Sequence, residues 1–347
     1  METQDDEVVS ESGSARGSAR GRLFRAVTWA LAFGCFYLVY GKIEVAAARD
    51  GLAVADYLIA FFAGANWVLW LAVMIPYSVF FFLVDAHATW RVIRWYNAPD
   101  LKLRDVLPIR ASAYILSLVN EQVGKGAMSL YLHRRYRVPG WEALSSMIFL
   151  GVVEIYQLLI FASIGMIVGF DLVKAASTVL PLSVILPAVF GVAAVYLPIH
   201  LGYFTGRLLP NSTLRDKPLL HALRKARPIE YLWVLLFKAP NLLAAIVVYT
   251  LALQLFQVDV GVGQMMAFLP LIFLAAALPL PFHAGALLFW TVLFPDYPEV
   301  GAFSLVMHTF FVSFNAVIGL IFLPKANREL FGGTTSSPGR TVAADDA

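Results

Sequence analysis

Two ionisable side chains lie inside long apolar stretches of the sequence, and they are the first candidates for chemistry. Glu154 lies about 12 residues inside the stretch 143–169, near the middle of a helix that would rise about 1.5 Å per residue. Lys238 lies near the beginning of the stretch 232–256, and Asn241 follows it on the same helix face. Ionisable groups in such stretches are rare and usually face a cavity or a partner.

These three residues are therefore predicted to form part of a binding site. Glu154 is predicted to contact a polar group or to exchange protons, with a hydrogen-bonded structural glutamate as the alternative. Lys238 is predicted to pair with Glu154 or Glu121, or to bind a phosphate. Alternatively, its long stem carries the ammonium group to the interface.

A third set of polar residues interrupts the apolar segment 106–136. Asn120, Glu121, Gly124, Lys125 and Gly126 follow one another within a few residues. Two glycines around a lysine favour a turn whose backbone N–H groups converge on an anion, to which the lysine adds a point charge. The alternative is a polar turn with no ligand, and the pattern lacks the spacing of a nucleotide-binding P-loop.

A second interruption, in the segment 264–295, carries Pro281, His283 and Gly285, and His308 follows in the next apolar stretch. The two histidines are candidates for a ligand or proton role, although a lone histidine on an apolar face more often packs against its neighbours. The six histidines and the single cysteine, Cys35, show no metal-ligand spacing, so no metal and no cofactor are predicted. No nucleophile elbow or catalytic triad is recognisable.

The composition indicates which solvent surrounds these residues. Of the 347 residues 60% are apolar and only 14% are charged, whereas soluble domains carry about 25% charged residues. The apolar residues occur in long blocks, so most of the chain is predicted to be embedded in lipid. The basic residues flank these blocks and form no separate domain, which makes nucleic acid an unlikely partner.

An all-α integral membrane protein follows from the lengths of the blocks. A membrane helix needs about 20 mainly apolar residues, and six stretches qualify: 26–43, 62–84, 143–169, 179–201, 232–256 and 301–323. The interrupted segments 106–136 and 264–295 each consist of two pieces that are short for a full span. Each is predicted to be a re-entrant helical hairpin, because backbone that leaves the helix at membrane depth needs protein or water around it.

The positions of the basic residues set the predicted orientation. Loops rich in Lys and Arg remain on the cytoplasmic side. If both termini are cytoplasmic, the basic segments on that side are 85–110, 134–137, 203–231 and 325–328. Only Lys42, Arg49 and Lys174, of 26 Lys and Arg, then lie outside. The two hairpins enter from opposite faces, as an inverted-topology repeat would produce. The predicted location is the inner (plasma) membrane, with residues 1–25 as a disordered polar and basic arm and 326–347 as a disordered cytoplasmic tail.

Residues 26–325 resemble the flippase-like transmembrane domain of the lysylphosphatidylglycerol synthase family. The likeness is carried by Asn120, Gly124-Lys125-Gly126, His133-Arg134-Arg135, Glu142, Glu154 and Pro279-x-Pro281-x-x-x-Gly285. Lys125 stands where the family has Arg, and Val123 and Ala127 replace its Pro and Glu. The resemblance implies a domain that moves a polar-headed lipid between leaflets, here without the soluble synthase domain.

We therefore expect a lipid flippase or transporter, with membrane lipids as partners and an anionic headgroup as the cargo. Two other function classes remain open. One is a membrane enzyme that modifies lipid or polyprenyl-phosphate headgroups, and the other is a non-transporting subunit that recruits a partner protein. A homo-oligomer is compatible with each of these functions.

Overall fold

A computed structural model describes residues 4–331 except 120, 179, 279, 281 and 282, with backbone alone at 4–25, 117–119, 121–123, 125 and 331. The described residues contain helices and connecting turns, and no strand occurs among them. The α-helices, in chain order, are α1 Gln4–Arg49, α2 Val54–Gly64, α3 Trp67–Tyr96, α4 Leu103–Val119, α5 Glu121–Tyr136, α6 Gly140–Val168, α7 Phe170–Ala175, α8 Leu182–Phe204, α9 His221–Lys225, α10 Pro228–Leu255, α11 Val262–Ala276, α12 Ala284–Leu293 and α13 Val300–Phe331.

Six of these helices are long and apolar enough to cross a membrane: Ala26–Arg49 of α1, then α3, α6, α8, α10 and α13. The prediction of a helical membrane protein with six long spans is confirmed. The limits of the second span are corrected, since α3 begins at Trp67 and continues to Tyr96 instead of covering 62–84. The Asn66 side chain accepts a hydrogen bond from the Leu69 N–H at 3.1 Å, and this cap separates α3 from the short helix α2.

Helix α1 begins at Gln4, so the backbone that the structure describes for the N-terminal arm is helical. The disorder of this arm stays a prediction. The C-terminal helix α13 continues to Phe331, and residues 332–347 lie outside the described part. The domain limits at 25 and 325 stay a prediction.

The ends of several helices meet at one face of the bundle, which we call the Tyr96 face. The Tyr96 hydroxyl at the end of α3 donates to Glu230 Oε2 at the beginning of α10, at 2.8 Å. The Asn97 side-chain amide donates to the Glu142 carbonyl in the first turn of α6, at 3.3 Å. Helix α3 therefore runs antiparallel to α6 and α10.

The basic loops gather at the same face. The Ser129 hydroxyl of α5 donates to the Gly140 carbonyl at 2.7 Å, and Arg134 Nη1 donates to the Leu330 carbonyl at the end of α13, at 3.0 Å. The Trp90 indole donates to the Leu101 carbonyl just before α4 begins, at 2.8 Å. The segments that the charge count placed on one side thus share one face of the bundle.

The opposite ends meet at a second face, which we call the Leu255 face. The Asn66 N–H donates to the Leu255 carbonyl at 3.5 Å and joins the start of α3 to the end of α10. Lys42 Nζ, in α1, donates to the carbonyls of Phe294 and Pro295 at 2.7 and 2.9 Å. The Phe294 carbonyl also accepts a hydrogen bond from the Tyr297 N–H at 3.2 Å, so Lys42 adds a second donor there and joins α1 to the turn that follows α12.

Two apolar cores lie between these faces. The larger includes Tyr77 of α3 and Ala245 of α10 and extends toward the Leu255 face. The other includes Ala88 of α3 and Val234 of α10 and extends toward the Tyr96 face. Between the two cores, α3 carries the buried Asp85 next to Phe82 and Ala86 of a smaller apolar cluster, and α10 carries the buried Lys238 and Asn241.

Candidate functional site

A cluster of four charged side chains occupies the level between the two cores. Arg110 Nε donates to Asp85 Oδ2 at 2.6 Å, so α4 is joined to α3. Lys238 Nζ of α10 lies 2.8 Å from Glu154 Oε2 of α6 and 3.6 Å from Asp85 Oδ1. We call Asp85, Arg110, Glu154 and Lys238 the charge cluster.

The charge cluster lies at membrane depth. At about 1.5 Å of rise per residue, Asp85, Glu154 and Lys238 are about 15 to 21 Å from the ends of their helices at the Tyr96 face. The hydrocarbon core of a bilayer is about 30 Å thick. The three helices have 30, 29 and 28 residues and are therefore about 42 to 45 Å long, so the cluster lies between one third and one half of the way along them from the Tyr96 face.

The members of the cluster differ in their exposure. The side chains of Asp85 and Lys238 are 8% and 7% exposed, and that of Arg110 is 19% exposed. The Glu154 side chain is 47% exposed. Glu154 is therefore the most exposed member of the charge cluster.

The cluster contains two cations and two anions, so its formal charge is zero. Isolated ions at this depth would lose several kcal/mol of solvation each, and they persist because each is paired. The Tyr114 hydroxyl adds a hydrogen bond to Asp85 Oδ2 at 3.1 Å, and the Arg110 guanidinium lies 5.3 Å from the centre of the Tyr114 ring. Asp85 Oδ2 consequently accepts two hydrogen bonds, and its Oδ1 has the Lys238 ammonium group 3.6 Å away.

Asn241 lies one turn beyond Lys238 on α10, as the spacing predicted. Its side-chain amide donates to the Phe81 carbonyl at 3.4 Å, a long hydrogen bond. Its Oδ1 is buried and has no hydrogen-bond partner among the described residues. A buried amide oxygen without a donor costs free energy, so this position offers an unused acceptor next to the charge cluster.

Two of the four cluster residues were not identified from the sequence. Asp85 was treated as the point where the second span ends, and Arg110 was counted among the basic loop residues. The structure places both inside helices, where their charges compensate one another. An Asp that follows the apolar run Phe80–Val84, and an Arg in an apolar segment, are the signals that could have found them.

The structure describes no interruption at Gly124-Lys125-Gly126. Helix α4 ends at Val119 and α5 begins at Glu121, so these two glycines and the lysine have helical backbone. The prediction of a non-helical turn at these three residues is wrong, and anion binding by them stays a prediction. Asn120 and the side chains of Glu121 and Lys125 lie outside the described part of the chain. Gly124 is buried, and the space beside Gly126 is open.

Helix α4 nevertheless links this interrupted segment to the charge cluster, because it carries Arg110 and Tyr114. At the Tyr96 face, a polar cavity of about 290 Å³ opens between the beginning of α4 and the ends of α5 and α13. Its lining mixes both signs of charge with two tyrosines: Asp100, Lys102, Arg104, Asp105, Tyr131, Arg135, Tyr136 and Glu329.

The second interruption lies where the prolines predicted it, between Ala276 and Ala284. His283 precedes α12 with a φ of 51°, the left-handed conformation, and its ring lies 6.1 Å from that of His308 on α13. Gly285 is buried. A Cβ at this position would collide with the Ala275 carbonyl of α11, so α11 and α12 approach each other closely here. Pro281 lies outside the described residues. The histidine pair belongs to α12 and α13, whereas the charge cluster belongs to α3, α4, α6 and α10.

Two further observations bear on identity. Among the described residues, no group of three His, Cys, Asp or Glu side chains could hold a metal ion. No family model matches the chain, and no match was found among curated proteins or solved structures. The charge cluster and the two interrupted segments therefore carry the functional argument.

Proposed function

We propose that this protein is a lipid transporter that moves a lipid with an anionic headgroup between the two leaflets. The observation that carries the proposal is the charge cluster within the long apolar helices, with the half-exposed Glu154 on its open side. Charged groups at this depth are costly and mark the paths of polar substrates in membrane proteins. The resemblance to the flippase-like domain points to the same class of cargo.

The packing of the interrupted segments supports this proposal. Helices α4 and α5 pack against each other, and both have their outer ends at the Tyr96 face. At about 1.5 Å per residue, α4 ends about 24 Å from its beginning, short of a full crossing with headgroups included. We propose that α4 and α5 form a re-entrant hairpin.

Helices α11 and α12 have the opposite orientation. They also pack against each other, and the Phe268 ring in the middle of α11 lies 5.1 Å from the Phe294 ring just after α12. Helix α11 begins at Val262, shortly after α10 ends at Leu255. The Lys42 hydrogen bonds attach the end of α12 to the Leu255 face. Two hairpins that open toward opposite faces are the arrangement of an inverted repeat, in which access alternates around a central site.

In the proposed mechanism the headgroup passes the charge cluster while the acyl chains remain in lipid. Lys238 and Arg110 compensate the charge of the headgroup, and the paired carboxylates keep the cluster neutral between transport events. We propose that the Tyr96 face is the cytoplasmic one, because loops rich in Lys and Arg remain on the cytoplasmic side and these loops gather at that face; both chain termini would then be cytoplasmic. The membrane would be the inner, or plasma, membrane.

The test is transbilayer movement of a fluorescent phosphatidylglycerol in proteoliposomes, measured as the fraction that an added quencher reaches. Lys238→Met is expected to slow protein-dependent movement by about tenfold or more, which corresponds to about 1.4 kcal/mol or more. Lys174→Met, at an exposed lysine of α7, is the matched control. The proposal is wrong if the wild-type protein moves the lipid no faster than protein-free vesicles do, or if Lys238→Met equals the control.

A further inference from the structure

Lys238 has two carboxylate partners of unequal closeness. Its Nζ lies 2.8 Å from Glu154 Oε2 and 3.6 Å from Asp85 Oδ1. The nearer contact has the length of a charge-assisted hydrogen bond, and the longer one does not. Glu154 is therefore the principal partner of the ammonium group.

Asp85, in contrast, is engaged by other groups. Its Oδ2 accepts hydrogen bonds from Arg110 Nε at 2.6 Å and from the Tyr114 hydroxyl at 3.1 Å. If Glu154 moved away, the remaining three charged groups would be Asp85, Arg110 and Lys238, with a net charge of +1. The buried ammonium would then lack a close anionic partner, which is strongly unfavourable at this depth.

The difference in exposure shows which partner can leave. The side chain of Lys238 is 7% exposed and surrounded by protein, whereas that of Glu154 is 47% exposed. A rotation of the Glu154 side chain can withdraw its carboxylate while α6 stays in place, since Glu has three rotatable bonds. The ammonium group cannot follow it.

We propose that Glu154 is an intrinsic competitor of the transported lipid, whose phosphodiester displaces the Glu154 carboxylate from Lys238. A phosphodiester carries one negative charge and oxygens that accept hydrogen bonds from an ammonium group, as a carboxylate does. It would restore the neutrality of the three remaining charges. This inference rests on the proposed function and adds to it the chemical class of the headgroup and the site of exchange.

The surroundings of Glu154 favour a lipid over a soluble phosphodiester. Its neighbour Ile155 is 44% exposed, and the helix around both residues is apolar. An anion that reaches Lys238 from this side therefore comes with its acyl chains in contact with apolar side chains. A water-soluble phosphodiester would have to cross the same apolar surface without chains.

The experiment measures the affinity of the purified full-length protein for phosphatidylglycerol in phosphatidylcholine nanodiscs of increasing phosphatidylglycerol content. Glu154→Gln removes the competing charge and is expected to raise the affinity about tenfold, equivalent to about 1.4 kcal/mol. Glu154→Asp keeps the charge but shortens the side chain by one methylene, so an intermediate affinity is expected. Glu44→Gln, at an exposed glutamate of α1, is the matched control and should bind like wild type.

The outcomes separate this inference from the proposed function. Equal or weaker binding by Glu154→Gln, with measurable wild-type binding, overturns the competitor role and leaves lipid transport standing. Absence of phosphatidylglycerol binding in every monodisperse variant overturns both. Equally tight binding of glycerophosphoglycerol, which has no acyl chains, would overturn the assignment to a lipid. Thermal unfolding and gel filtration of each variant confirm that the compared proteins are folded.

Discussion

The removal of the Asp85 charge is expected to destabilise this protein more than the removal of the Glu154 charge. Asp85→Asn leaves Arg110, whose side chain is 19% exposed, without its 2.6 Å anionic partner. Breaking a buried ion pair in this way costs about 3–5 kcal/mol, because an uncompensated charge stays behind. Glu154→Gln also takes the nearest anion from the buried Lys238, but Asp85 Oδ1 remains 3.6 Å from that ammonium group and the Gln amide oxygen can still accept a hydrogen bond from it. This change should therefore cost less, about 1–3 kcal/mol.

A paired substitution isolates the cause of this difference. Asp85→Leu combined with Arg110→Met removes one charge of each sign and leaves Lys238 paired with Glu154 at 2.8 Å. The double variant is therefore expected to be more stable than either single variant, with a coupling free energy of about 2 kcal/mol or more. An additive result would mean that the two charges do not compensate each other.

The free energy of unfolding is measured in mixed micelles by titration with a denaturing detergent and followed by tryptophan fluorescence, with refolding as the check of reversibility. The comparison of Asp85→Asn with Glu154→Gln needs only the difference between two variants, so errors of extrapolation largely cancel. If Asp85→Asn costs no more than Glu154→Gln, the ranking of the charges by burial is refuted.

Three further predictions follow from contacts outside the charge cluster. A Cβ at Gly165 would lie 2.6 Å from the Met266 carbonyl, so Gly165→Ala should cost about 1–3 kcal/mol of stability. Gly191→Ala, where no atom lies within 4 Å, should be neutral or stabilising by up to about 1 kcal/mol in the same unfolding assay. Lys42→Met should lower the free energy of unfolding by about 1.5–3 kcal/mol, because its hydrogen bonds to the Phe294 and Pro295 carbonyls are lost. Glu44→Gln on the same helix should leave the free energy of unfolding unchanged. Burial lowers the pKa of His221, beside Glu142 and near Arg224 and Lys225, so the unfolded state binds its proton more readily. Stability should therefore fall as the pH drops through about 6.5, the ordinary pKa of histidine. Thermal unfolding between about pH 7.5 and about pH 5.5 measures this dependence, and His221→Gln should flatten it. A pH profile unchanged by His221→Gln would contradict it.

Much of the architecture could be predicted because a bilayer imposes one strong rule on sequence. Apolar stretches of about 20 residues become helices in lipid, and the six long helices agree with that reading. The second interruption was also predictable, since Pro279 and Pro281 cannot donate backbone hydrogen bonds to a helix. The position of the first interruption was not, because glycines are tolerated inside a helix whose neighbours supply packing.

The candidate site could be predicted only in part. Glu154 and Lys238 were found because a charge in the middle of an apolar stretch is conspicuous, and pairing of Lys238 with Glu154 was one of the predicted alternatives. Asp85 and Arg110 were missed because each lies where an apolar stretch borders charged sequence. A residue in that position is read as loop unless its partner is known.

The sequence by itself determined that the chain lies in lipid, how many long helices it has, and that charged side chains sit within them. It could do so because the length of an apolar block and the burial of a charge are local properties. Only the tertiary structure decided which charges meet, since α3, α4, α6 and α10 are brought together by packing between segments far apart in the chain. The same packing left Glu154 half-exposed while it buried Lys238 and Asp85. The proposed exchange at Lys238 depends on that difference in exposure.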